Sequence, residues 1–165
     1  MLAFLRDPND ALSVIDIFEK MYLELCPDRF QKLMPVLLAD NGTEFSNPSA
    51  IELDRQENPR TRMFYYDPSA PYQKGSAECN HELIRCFFPK GPLDPYTQDD
   101  IILMMDHINS YCRESLGNKN PYEMMSFLYG DNILDLLGCQ KIIPHKVTMN
   151  PSIFKDKGEA RNENI

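Results

Sequence analysis

Apolar residues recur every three or four positions at Ala11, Val14, Phe18, Met21, Tyr22 and Leu25. That spacing predicts a helix with one apolar stripe. Asp7-Pro8-Asn9-Asp10 supplies a start signal. Asp7 is expected as N-cap, Pro8 as the first helical residue and Asp10 in the first turn, near the positive end of the helix dipole. Pro27 is expected just beyond the helix, with Asp28 in the turn after it. Residues 2–5 are strand-like. Val36-Leu37-Leu38-Ala39 is short, wholly apolar and bounded by Pro35 and Asn41-Gly42, which predicts a central strand buried on both faces. Asn47-Pro48 opens a short helix through Leu53, and residues 56–59 form a polar loop. Arg62-Met63-Phe64-Tyr65-Tyr66 is aromatic-rich and reads as a strand.

Two prolines in Asp67-Pro68-Ser69-Ala70-Pro71 mark a loop. Residues 78–88 follow with a helical pattern whose apolar side is Cys79, Leu83, Cys86 and Phe87, read as core. Thr97, with Asp100 three residues on, predicts a capped helix. Its stripe is Ile101, Met104, Met105, Ile108 and Cys112. Asn120-Pro121 opens a short helix through Leu128, and Asp131 to Leu137 forms a last one ended by Gly138. From Asn150 onward the chain is polar and expected to fray. The order predicts an α/β layer with helices packed on it.

Composition narrows the functional classes. At 165 residues, 42% apolar and 25% charged, the chain suits one soluble domain with a core. No apolar run has the length of a membrane span. Residues 1–5 lack the basic leader of a signal peptide, so the expected location is cytoplasmic, without a membrane partner. The cysteines are Cys26, Cys79, Cys86, Cys112 and Cys139. Their odd number and the lack of any CxxC pair argue against a zinc site and for reduced, mostly buried thiols. The net charge of −8 is unusual for a protein that neutralises DNA phosphates. Arg60, Arg62, Lys74, Arg85 and Lys90 form a local basic exception.

Two carboxylates carry the candidate chemistry. Asp40 closes the apolar run before Asn41-Gly42. Such a tripeptide is a common turn, but it also sits where α/β sheets place ligands, past the carboxyl end of a strand. Gly42 then lets the loop approach a bound phosphate. Glu78 lies at a helix start, a position the dipole favours without any chemistry. Glu78, Glu82 and Arg85 share one face, and a Glu82–Arg85 ion pair there is worth only tenths of a kcal/mol, about 0.3. Glu44 is read as structural, with Phe45 anchoring its loop. His81 reads as a surface or supporting residue, His107 as packing and His145 as surface.

Together, Ala39-Asp40-Asn41-Gly42-Thr43-Glu44-Phe45, Gln73-Lys74-Gly75 followed by Glu78, Leu83-Ile84-Arg85, Pro89-Lys90-Gly91, His107-Ile108-Asn109-Ser110, Arg113 and Asn120-Pro121-Tyr122-Glu123 resemble the catalytic core of bacterial insertion-sequence transposases. The group is the insertion-sequence thirty family of the retroviral-integrase-like superfamily. The resemblance implies a ribonuclease-H-like α/β fold over residues 1–130, with a C-terminal helix and polar tail over 131–165. It also implies a site of two aspartates and a glutamate holding two magnesium ions. Asp40 matches the second aspartate and Glu78 the glutamate. Lys74, Arg85 and Lys90 are the implied phosphate contacts. The first aspartate has no counterpart: Asp7, Asp10, Asp16, Glu19, Glu24 and Asp28 all fall on the first helix, its cap or its turn. The chain is therefore expected to start near the third strand of that fold, and to be inactive alone in strand transfer.

The implied partner is DNA, both transposon ends and target. A second reading is a non-catalytic module that associates with full-length transposase, or with itself, through an exposed sheet edge. A third is an unrelated α/β binding domain in which Asp40 and Glu78 are only a turn and a helix start.

Overall fold

A computed structural model describes residues 1–6, 10–67, 75–88, 93 and 95–154. The chain divides into two compact units, Arg6–Ser76 and Met1–Leu5 with Ala77–Ile165.

The unit Arg6–Ser76 holds α1 (Ala11–Leu25), α2 (Pro27–Leu33), β1 (Val36–Ala39), α3 (Pro48–Glu52) and β2 (Arg62–Tyr65). The cap of α1 is Asp10, whose Oδ1 accepts from Ser13 N at 2.8 Å. The expected start was three residues earlier; Asp7 and Pro8 lie outside the described residues. Asp10 wins because its carboxylate reaches the free N–H of the helix's third residue. The stripe forms as expected, with Val14, Met21, Tyr22 and Leu25 buried.

Pro27 does not merely follow α1. It opens α2 as an N-terminal proline, with Asp28 in the first turn. Cys26 joins the two helices at φ 64 and ψ 155.

Strands β1 and β2 pair in parallel, Val36 with Arg62 through Ala39 with Tyr65. They form the one sheet among the described residues. One face carries Leu37, Ala39 and Met63 into a core with Val14, Ile15, Phe18, Phe45 and Ile51. Ile51 is fully buried, a burial worth roughly 1.5–3 kcal/mol. The opposite face corrects the expectation of a strand buried on both sides. Val36, Leu38 and Phe64 are each more than half exposed. Their alternation with Leu37 and Met63 sends them to the side that no helix of this unit covers.

The remaining helices are α4 (Gly75–Arg85), which belongs to the other unit from Ala77 on, α5 (Gln98–Ser110), α6 (Pro121–Tyr129) and α7 (Asp131–Leu136). Helix α4 runs three residues earlier at both ends than its pattern suggested. Cys79 on the helix and Cys86 just past it are exposed rather than core, while Phe87, the next residue, is fully buried. All five cysteines are free, and only Cys139 is buried, so the expectation of mostly buried thiols fails.

Thr97 and Asp100 make a reciprocal capping box on α5. Ile101, Met104, Met105 and Ile108 are buried as their spacing demands. Cys112 lies past the end of α5 and is exposed. Asn120 caps α6 by accepting from Glu123 N at 2.8 Å.

Residues 2–5 alternate as a strand does. Met1, Ala3 and Leu5 pack on the α5 core, whereas Leu2 and Phe4 are exposed. They are nevertheless no strand: Gln98 stands in for a ladder partner. Its Oε1 accepts from Leu5 N at 2.8 Å and its Nε2 donates to Ala3 O at 3.0 Å. The expected fraying after Asn150 is also corrected. Phe154 is buried in the same core and stacks on Phe88, with ring centroids 5.3 Å apart. The last residues, 155–165, lie outside the described ones. No helix among the described residues is long and apolar enough to cross a membrane.

Candidate functional site

Asp40 follows β1 directly and is exposed. Its Oδ1 accepts from Gly42 N at 3.3 Å, an Asx turn that fixes the carboxylate at the strand's carboxyl end. The loop is tied to β2 at two points. Tyr66 N donates to Ala39 O at 2.9 Å, and Asn41 Nδ2 donates to Tyr66 O at 3.1 Å. Tyr65 adds a third tie, its hydroxyl donating to Phe45 O at 2.5 Å. Both the turn and the ligand reading of Asp40 therefore use the same geometry. The turn engages one carboxylate oxygen by a long bond and leaves lone pairs available.

Gly42 has φ −68 and needs no glycine for its backbone. What lies closest to it is Glu44, whose carboxylate carbon stands 2.7 Å from where a Cβ would sit. Glu44 thus folds back over its own loop, and Phe45 packs on the core, in keeping with a structural role for both.

Glu78 lies in the first turn of α4 and is exposed, as are His81, Glu82 and Arg85 along that helix. Glu82 and Arg85 do not pair, among the described residues; exposed side chains three apart lose more freedom than a weak Coulomb term returns. Lys74 and Lys90 lie outside the described residues. Asp40 belongs to the unit Arg6–Ser76, and Glu78 to the unit containing Ala77–Ile165.

Among the described residues no three His, Cys, Asp or Glu side chains gather to hold a metal. The donor chemistry of Asp40 and Glu78, two exposed carboxylates on the ends of rigid elements, suits a hard divalent ion such as magnesium.

His107 is buried, and its Nδ1 accepts from Thr148 N at 3.2 Å. Burial holds its pKa below the ordinary histidine value. It serves packing, as its place in the Met-rich stripe suggested. His145 is exposed in a short turn.

The pattern gave no hint of a pair on α4 itself. Arg113 Nη1 donates to Asn80 Oδ1 at 3.2 Å. The other two guanidinium nitrogens, Nε and Nη2, are buried and have no hydrogen-bond partner. The available signal was Arg113 in the motif after Ser110, but nothing in its spacing tied it to a residue more than thirty positions earlier.

Known proteins add a direction. The chain is 30% identical over 118 residues to the transposase InsI of insertion sequence element IS30A from Escherichia coli K12, covering 71% of this chain and 29% of that protein. It is 30% identical over 95 residues to the transposase of insertion sequence element IS1086 from Cupriavidus metallidurans, covering 57% of this chain and 27% of that protein. The chain thus spans less than a third of the length of these curated relatives. No family model matches the chain, and no solved structure does. The similarity is thus to transposases of insertion sequence elements, over part of their length.

Proposed function

We propose that this chain is part of a DDE-type transposase core, with a ribonuclease-H-like arrangement, that acts in DNA transposition by metal-dependent phosphoryl transfer. The observation that carries the reading is the position of Asp40. It is an exposed carboxylate at the carboxyl end of a strand in a parallel pair, where α/β sheets present ligands. Similarity to insertion-sequence transposases supports it.

In this reading Asp40 and Glu78 hold magnesium. A metal held by these carboxylates would supply activation of the attacking oxygen and stabilisation of the leaving one. The Asx turn at Gly42 keeps Asp40 extended from β1, and α4 carries Glu78 in its first turn. Arg85, with Lys74 and Lys90, is assigned to DNA phosphates. In this reading none of Asp7, Asp10, Asp16, Glu19, Glu24 and Asp28 matches the first acid of the triad, and the 165-residue polypeptide alone is expected to be inactive.

The test is a manganese titration of the chain followed by NMR line broadening. Broadening centred on Asp40 and Glu78, and lost in Asp40→Asn, supports the reading. Broadening that ignores both residues overturns it. Magnesium-dependent nicking or joining of DNA by the purified chain would refute the expected inactivity.

A second reading is favoured by the exposed apolar face of β1 and β2. Parallel sheets are covered on both faces, yet Val36, Leu38 and Phe64 are open. A non-catalytic module that associates with full-length transposase through this face accounts for that. Co-purification with an intact transposase, abolished by Leu38→Lys, supports it; a soluble monomer indifferent to transposase counts against it.

A further inference from the structure

Strand β1 has one edge in use and one edge open. Arg62 N donates to Pro35 O at 3.2 Å, and Tyr66 N donates to Ala39 O at 2.9 Å. Pro35, Leu37 and Ala39 therefore turn their backbone groups toward β2. In the register that sets Val36 on Arg62 and Leu38 on Phe64, Val36 and Leu38 turn theirs away. Among the described residues β1 has no second neighbour in the sheet, and no other bond engages those outward groups. The side chains of both residues are more than half exposed.

The far edge of β2 is different. Thr61, just before the strand, donates its N–H to Glu52 O at 3.4 Å, and Met63 N donates to Glu52 Oε1 at 2.8 Å. A strand approaching β2 from outside meets Glu52, the last residue of α3. Natural sheets guard a free edge with lysine, an inward charge, proline or a bulge. Val36-Leu37-Leu38-Ala39 carries no charge and no proline, and its pairing runs without a bulge.

We propose that the free edge of β1 pairs antiparallel with the same edge of a second copy of this chain. The outward groups set the register. Val36 pairs with Leu38 of the second copy and Leu38 with its Val36, each pair exchanging two N–H···O bonds. Leu37, half-buried on the core side, then stands opposite the second copy's Leu37. One patch serves both copies, and the assembly closes at two because Glu52 blocks the other edge. Asp40 comes opposite Met34 of the second copy, so the two Asp40 residues lie about 20 Å apart, beyond a Debye length. A second copy is the favoured occupant because the edge is complementary to itself in register and apolarity and keeps these like charges apart. Two strands of 4 residues cover less than the roughly 1,200 Å² of a stable interface. The dimer is therefore weak, with a Kd on the order of 0.1 mM. The pairing rests on strand geometry alone and holds under either reading of function.

The test sediments the full chain from about 20 µM to about 1 mM, across that constant, and reads amide hydrogen exchange by NMR at both ends. A shift from monomer to dimer is expected, with no larger species, and with exchange at Val36 and Leu38 slowed only at the high end. A mixture of labelled and unlabelled chain is expected to give an intermolecular NOE between the Leu37 Hα atoms, which a non-hydrogen-bonded antiparallel pair brings together. Leu38→Pro removes an outward donor and none of the bonds to β2; it is expected to weaken association at least about tenfold. Phe64→Ser alters the apolar face and not the edge, and is expected to dimerise as the parent does.

A chain that stays monomeric at about 1 mM overturns the proposal. So does a dimer whose Val36 and Leu38 amides exchange as freely as the monomer's. Loss of the dimer in Phe64→Ser would move the contact to the open face and overturn the edge. Filaments in place of a dimer would overturn its closure. A monomer that still co-purifies with intact transposase leaves the second reading standing and the dimer overturned. Measurements on the parent chain decide the matter even where a variant fails to fold.

Discussion

Arg60 and Glu19 form an ion pair at 2.7 Å in which the arginine side chain is completely buried. The guanidinium has further work. Its Nε donates to Ile51 O at 2.8 Å and its Nη2 to Ala50 O at 2.9 Å. These carbonyls belong to α3, so one cation closes the last turn of that helix and ties it to α1. The charge also lies over the rings of Tyr22 and Phe30, at 5.2 and 6.0 Å from their centroids. Glu19 is shared with Arg55, at 2.8 Å, but Arg55 is exposed and contributes little.

Removing Glu19 leaves Arg60 buried without its counter-charge. Glu19→Ala is expected to lower stability by about 3–5 kcal/mol, and Arg55→Ala by less than about 1 kcal/mol. Chemical denaturation of the variants checks the ratio. Equal effects of the two would show that the pair is not the anchor described here.

Cys26 offers the opposite sign. Its φ of 64 with ψ 155 lies in a region used almost only by glycine and costs about 1–3 kcal/mol. Its side chain is exposed, so little packing is lost by removing it. Cys26→Gly is expected to raise the Tm, while Cys26→Ala leaves it near the parent value. A fall in Tm for the glycine variant would count against the strained hinge.

Neighbouring groups on α5 give opposite pH slopes. Burial pushes the Asp106 carboxyl up, although its Oδ1 accepts from Gln140 N at 2.8 Å. The folded state then holds this proton more tightly, so the contribution of Asp106 is full below the ordinary aspartate value and is lost as pH rises from there through the raised folded value. Asp106→Asn is expected to exceed the parent in stability at pH 7, with the gap closing near pH 3, as thermal melts at both values would show.

Burial pushes His107 down. The folded state binds its proton less readily, so the stability it supports is present above the unfolded value and is lost as pH falls from about 6.5. Protonation also replaces the acceptor facing Thr148 N by a donor. His107→Gln is expected to flatten the stability profile between pH 7 and pH 5. A slope identical to the parent's would exclude the role.

Phe154 joins Phe87, Phe88 and Tyr96 in one aromatic cluster. Phe154→Ala is expected to cost about 3–5 kcal/mol, read by denaturant unfolding. A cost within about 0.5 kcal/mol would return the segment after Asn150 to the status of a loose tail.

Local signals read from the sequence held where the physics is local. The α1 stripe, the Thr97–Asp100 box, the Asn47 and Asn120 caps and both short strands follow from side chains a few positions apart. So does the Asx turn that presents Asp40. Where a partner distant in sequence decides the outcome, the pattern fell short. Cys79 and Cys86 have helical spacing to the apolar side of α4 but are exposed, because spacing sets a direction and not what lies there. Residues 2–5 have a strand's alternation, but a side-chain amide from α5 took the place of a neighbouring strand.

The sequence by itself therefore determined most of the elements, the caps at Asn47, Thr97 and Asn120 and the choice of Asp40 and Glu78 as candidate carboxylates, since each depends on periodicity, turn chemistry and motif. Only the tertiary structure decided that Val36 and Leu38 face outward, that Arg60 is buried against Glu19, that Phe154 is core, and that Arg113 donates to Asn80 on α4. Burial and pairing are properties of surfaces brought together from far along the chain, and no local pattern encodes which surfaces meet.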